Sequence, residues 1–103
     1  MKGSIEILLL TLLAQKDCYG YELAKELRKR SGDQYQMNEG TLYPALKRME
    51  TKEYVTSYWM ETMEGTKRKY YSITDQGREE VRRKLKSWNQ IHRLIAKCKE
   101  GFV

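Results

Sequence analysis

This sequence is short of the residues from which most catalytic and metal sites are built. Among 103 residues there are one His and two Cys. Cys18 and Cys98 have neither the spacing of a metal motif nor the number for a disulfide framework, and no His–Cys cluster can form around a single His. Both thiols are expected to be free, as in a reducing cytosol. A redox-sensing pair would require a thiol of lowered pKa, which nothing in the pattern supplies. No nucleophile–base arrangement or paired acid/base group is visible, so an enzyme is the least supported class, and no cofactor or metal is expected. Long apolar runs are also missing. Ile5 and Ile7–Leu10 are interrupted at Thr11 and Gln15, well short of the roughly 20 residues of a membrane span. No small-residue cleavage site follows, so a signal peptide is not expected and the chain is placed in the cytoplasm. Repeats, low-complexity tracts and linkers are absent, and the length suits one small domain with at most an appended helix.

Positive charge is what the chain has in excess, and it is unevenly distributed. The net charge is +6. Residues 1–66 carry nine Lys/Arg against ten Asp/Glu, whereas residues 67–103 carry eleven against four. A basic block of this kind suits a polyanion. For Arg82, Arg83, Lys84 and Lys86 the plainer reading is a solvated helix face. Hydrophobic residues make up 40% of the chain, with eight Tyr and two Trp. That supports a modest core of the size that often gains from oligomerisation.

Periodicity predicts a mainly α-helical fold with a two-stranded β-wing. Residues 4–15 read as a helix apolar nearly all round, with Ser4 as its N-cap. A second helix runs from about Tyr19 to Ser31, with Leu23, Ala24 and Leu27 on one face and Gly32 ending it. Residues 33–38 form a polar connection longer than a tight helix-turn-helix turn. A third helix runs from Asn38–Thr41 to about Thr51, with Asn38 as cap and Leu42, Leu46 and Met49 facing the core. The single proline, Pro44, lies inside this pattern and conflicts with the carbonyl of Gly40. Either the regular helix starts at Thr41, or Gly40 yields locally. Val55–Met63 and Lys67–Ile73 read as strands joined through Gly65. Thr74 caps a last helix from Asp75 to about Lys99, with an apolar stripe at Val81, Leu85, Trp88, Ile91 or His92, and Ile95. Such a stripe between charged flanks predicts packing on another chain.

The third helix presents Thr41, Tyr43, Lys47 and Arg48 away from its core face. Hydroxyls, ammonium groups and a helix N-terminus suit phosphate oxygens, although the same residues also suit a plain solvated face. Lys67, Arg68 and Lys69 follow the hairpin turn directly, where they can straddle phosphates or place Arg68 in a minor groove. Lysines on a strand edge also serve simply to block edge pairing.

Several ordered motifs bear on that choice: YGYEL at 19–23, EGTLYPALKRME at 39–50, SYW at 57–59, GTKRKYYSIT at 65–74 and DQGREE at 75–80. Together they resemble the PadR family of bacterial winged helix-turn-helix repressors. Met49 stands where that family commonly has Leu, and Tyr54 replaces a commoner Gly at the helix-to-strand turn. The resemblance implies a winged helix-turn-helix DNA-binding domain over 1–74 and a dimerisation helix over 75–103, joined in one compact unit. It implies a homodimer repressing by operator binding. Matched motif by motif, Tyr19, Asn38, Gly40, Thr41, Tyr43 and Lys47 would be helix-side DNA contacts, and Lys67, Arg68 and Lys69 wing contacts.

The segment KSWNQIHRLI is similar to the last helix of the lactococcal multidrug-binding members of that family. There a Trp lines an opening between subunits and stacks on flat aromatic ligands. By that resemblance Trp88, with Ile7, Thr11 and His92, would line an effector site; the multidrug relatives have an acidic residue where His92 stands. A Trp in an apolar stripe is otherwise dimer core, and a ligand plate would need an open apolar cavity around it. Two further functions stay open. A sequestering dimer with vestigial DNA contact predicts ligand binding without operator affinity. An adaptor using the last helix predicts a partner protein on the Val81–Ile95 stripe.

Overall fold

Helix α1 (Lys2–Leu13) is surrounded as its all-round apolar sequence requires: Leu9, Leu10 and Leu13 are fully buried. The computed structural model describes the backbone of residues 2–102 and the side chains of residues 4–102. The helix already runs at Lys2, so Ser4 lies within it and is not its cap. Glu6 instead reaches across to Arg48 and Lys52. Strand β1 (Cys18–Tyr19) and helix α2 (Gly20–Arg30) follow. Leu23 and Leu27 are buried, and Gly32 turns the chain out of α2 at φ 62°. In the connection that follows, Ser31 Oγ accepts from Tyr35 N at 2.9 Å, and Tyr35 and Met37 pack on the core.

Helix α3 (Glu39–Thr51) is capped as its sequence predicts, with Asn38 Oδ1 accepting from Thr41 N at 3.0 Å. The helix starts at Glu39 and does not wait for Thr41. Pro44 therefore lies in its second turn and removes the donor for the carbonyl of Gly40, an exposed residue. Leu42, Ala45, Leu46 and Met49 form the buried face. The turn that follows places its left-handed residue at Glu53 (φ 64°), so Tyr54 needs no glycine-like conformation there.

Strands β2 (Val55–Glu61) and β3 (Lys67–Ile73) form the wing hairpin, which turns at Gly65 (φ 82°). The sheet has three antiparallel strands in the order β1-β3-β2, one more than periodicity predicted. Two-residue β1 is too short to leave an alternation signal, and only tertiary pairing of Cys18 with Tyr71 and Tyr19 with Tyr70 creates it. Helix α4 (Asp75–Cys98) starts at Thr74, whose Oγ1 accepts from Gly77 N at 3.0 Å, and ends in a short 3-10 turn, Lys99–Gly101. Its first turns pack on the core through Val81. The remainder extends the molecule to 61 × 30 × 22 Å.

Candidate nucleic-acid interface

The exposed side of α3 and the wing border one cleft of about 530 Å³. Tyr43 of α3 forms one wall, and Trp59 of β2 with Lys67, Arg68 and Lys69 of β3 forms the other. Tyr19 and Gly20, where β1 meets α2, make the floor. The base of the wing is tied to α3 through Glu50. Its carboxylate accepts from Ser57 Oγ at 2.7 Å and lies 4.0 Å from Lys69 Nζ.

Each residue expected at the interface has a defined place. Asn38 and Gly40 stand at the N-terminus of α3, with the Asn38 side chain spent partly on capping. Thr41 is half-buried in the first turn. Tyr43 leans over Gly20 so closely that a Cβ there would lie 2.7 Å from its Oη. Lys47 is exposed one turn further along. Arg48, on the same side by sequence spacing, turns away instead: its Nε lies 3.7 Å from Glu6, whose other oxygen is 3.2 Å from Lys52 Nζ. Lys47, Lys67 and Arg68 have no carboxylate partner among the described residues, so their charge is available to a ligand. Strand alternation splits the wing cations. Lys67 and Lys69 leave the face shared with Trp59, while Arg68 leaves the opposite face and folds over Tyr19 at 4.5 Å. Tyr21 and Trp59 also border the cleft. Tyr21 lies in the YGYEL motif but was not singled out, because an exposed Tyr on a helix reads as ordinary surface.

Three groups at or near the cleft have raised pKa values, the Tyr71 phenol through burial. Asp17 accepts a hydrogen bond from the Tyr58 hydroxyl at 2.6 Å, which pushes that phenol up to about 12. Burial, with Glu22 adding to it, pushes the Cys18 thiol up to about 11. Cys18 is therefore a neutral core thiol, the reverse of what a thiolate sensor needs, and Cys98 is exposed.

A helical cluster with a basic three-stranded wing, and a cleft between wing and third helix, is the arrangement of a winged helix. Residues 9–83 match the model of the transcriptional regulator PadR-like family. The chain belongs to that family.

A PadR family transcription regulator from Clostridium difficile is 40% identical, with a TM-score of 0.80 over 90% of this chain and 95% of that one. A transcriptional regulator from Clostridium thermocellum is 35% identical, with a TM-score of 0.82 over 92% of each chain. The negative transcriptional regulator PadR of Bacillus subtilis is 28% identical over 92% of this chain, which spans only 50% of that protein. The structure thus agrees with the winged-helix fold of PadR-like transcriptional regulators.

Away from the cleft, this PadR-like chain has a second feature on the face where α1, α2 and α4 meet. A groove of about 500 Å³ is lined mainly by apolar side chains, among them Ile7, Leu8, Leu12, Leu85 and Trp88. Thr11, Ser31 and Tyr35 add hydroxyls, and among the described residues Arg30 is the one charged residue lining it. Of the four residues expected at an effector site, Ile7, Thr11 and Trp88 meet here; His92 lies beyond, exposed on the projecting part of α4. Ile7 contributes little free surface, being a core residue. The α4 stripe divides in a similar way. Val81 is buried in the core of its own chain, because the first turns of α4 pack on it. Leu85, Trp88, Ile91 and Ile95 are 41–57% exposed, and Leu94 extends the same apolar surface at 60%. Leu94 was missed because the stripe was followed along a single line of positions.

Proposed function

We propose that this chain is a cytoplasmic homodimeric repressor that binds a palindromic operator through α3 and the wing. The observation that carries the reading is the placement of Lys47, Lys67 and Arg68. They stand on the two elements that border one cleft, without carboxylate partners among the described residues, and a helix with a cationic wing beside it suits a groove and its flanking backbone. Helix α3 would enter the major groove by its N-terminal half, where Gly40 permits close backbone approach and Thr41 and Tyr43 offer hydroxyls. The wing would grip the adjacent phosphates. The exposed Leu85–Ile95 face of α4 supports dimerisation, since an apolar surface of that length is costly in water. A two-fold dimer places its half-sites about one or two helical turns apart.

The groove beside Trp88 supports an effector role. A planar aromatic compound would stack on the indole, and binding that favours one separation of the two α3 helices weakens operator affinity by linkage. The same groove favours a second reading, in which the dimer sequesters small molecules and its DNA contact is weak.

Anisotropy titration of labelled DNA from upstream of the chain's own gene, at two salt concentrations and with competitor DNA, separates these readings. A repressor gives saturable binding that survives competitor, strengthens as salt falls and is weakened in Lys47→Ala. Equal displacement by any DNA, with quenching of tryptophan fluorescence by planar aromatics, supports the sequestering dimer.

A further inference from the structure

Three tyrosines form a row straight across the sheet. The strand register places Tyr58 of β2 and Tyr19 of β1 on either side of Tyr70 of β3. Tyr58 and Tyr70 stack, with ring centroids 5.7 Å apart and planes 14° from parallel. Tyr19 meets Tyr70 edge-on at 5.4 Å. The row is fixed at one end, where the Tyr58 hydroxyl donates to the Asp17 carboxylate just before β1. Arg68 lies two residues from Tyr70 on the same face of β3, toward the wing tip. Its guanidinium carbon rests 4.5 Å from the centroid of the Tyr19 ring.

We propose that Tyr58, Tyr70 and Tyr19 are positioning residues that hold Arg68 ready for the DNA backbone, a role that rests on the duplex-binding reading above. A guanidinium is planar and delocalised. A ring against one face attracts it through the quadrupole and leaves the N–H donors along its edge free for phosphate oxygens. A long side chain at a hairpin tip otherwise loses much rotamer freedom when it is captured, and prior ordering removes part of that cost. Lys67 has no such support. Lys69 lies 5.6 Å from the Tyr71 ring but also faces Glu50, which draws it back toward α3. Of the three wing cations, Arg68 alone is seated on an aromatic row that is itself anchored. Position and not charge is then what distinguishes it. The consequence for Tyr19 is specific: it acts through Arg68 and is not an independent DNA contact.

The test is a double-mutant cycle in the full chain. The probe is a labelled duplex that the wild-type protein has itself selected from a random-sequence pool. Tyr19→Leu is expected to weaken binding roughly two- to five-fold, the size of an exposed cation–π contact. The double variant Tyr19→Leu/Arg68→Ala is expected to bind no more weakly than Arg68→Ala. Tyr58→Phe keeps the ring and removes only the Asp17 bond, so it serves if Tyr19→Leu fails to fold. It is expected to weaken binding less, and to have no effect once Arg68 is Ala. Without DNA, the Arg68 side-chain protons are expected to be shifted upfield by the Tyr19 ring and to return toward random-coil positions in Tyr19→Leu. Losses that multiply in the double variant would overturn the proposal, as would Arg68 protons at random-coil positions in the wild type. Failure of the wild type to select any duplex would bring down the duplex reading itself, and a persisting ring-current shift would identify that as the cause.

Discussion

Gly77→Ala sets two general rules against each other at one atom. Gly77 lies in the first turn of α4, and replacing a helical Gly by Ala normally stabilises by about 1 kcal/mol. A Cβ at Gly77 would, however, lie 2.3 Å from the carbonyl oxygen of Tyr54 and 2.8 Å from Ile73 Cγ1. The nearest obstacle is backbone, and that carbonyl already accepts from Thr74 N at 2.9 Å. Thr74 is committed in three directions there, since its Oγ1 also donates to Glu53 O at 2.7 Å and accepts from Gly77 N at 3.0 Å. Room for the methyl can be made only by separating the start of α4 from the α3–β2 turn. Overpacking of this kind costs about 1–3 kcal/mol, and the weakened hydrogen bond between the half-buried Thr74 and Tyr54 about 1 kcal/mol more. After the propensity gain is subtracted, a net destabilisation of about 2 kcal/mol is expected. Urea unfolding followed by far-ultraviolet circular dichroism at a fixed protein concentration measures it, because dimerisation would otherwise shift the midpoint. A Gly77→Ala protein as stable as wild type, or more stable, would refute the reasoning and mean that the junction yields freely.

Gly20→Ala is expected to displace the Tyr43 ring, which lies 2.7 Å from the added Cβ, and so to weaken operator binding several-fold while changing thermal stability by under about 1 kcal/mol. Tyr43 is 45% exposed and can swing outward, and anisotropy with a melting curve checks both parts. Lys47→Ala is expected to lower the slope of log affinity against log salt by about one, whereas Arg48→Ala leaves it nearly unchanged because Arg48 faces Glu6. Cys18 makes stability sensitive to alkali. Its folded pKa, about 11, lies above the ordinary 9.0, so the unfolded chain gives up the proton first. The contribution is therefore complete below pH 9 and is lost as pH rises toward 11, by on the order of 2 kcal/mol. Cys18→Ser removes the thiol titration, so denaturant midpoints measured across that range should lose this component of their decline.

The helices and the hairpin were legible in the sequence because their signals are local. Asn38 and Thr74 cap the helices they precede, Gly32 and Gly65 take the positive φ that their turns require, and Leu42, Leu46 and Met49 share one face by spacing alone. The ordered motifs from Tyr19 to Glu80 carried the family, since their spacing encodes the winged helix as a whole. What the sequence left open depends on contacts distant in the chain. The third strand exists only where Cys18 and Tyr19 meet β3, about fifty residues away by the register that pairs them. Lys47 and Arg48 are adjacent and of like charge, and only the tertiary fold brings Glu6 of another helix within 3.7 Å of Arg48. Val81 and Leu85 belong to one stripe, yet the packing of α1 against α4 buries the first and leaves the second half-exposed beside Trp88. Periodicity specifies which residues share a face. Only the tertiary structure determines what that face meets, because burial and ion pairing depend on neighbours that local spacing does not encode.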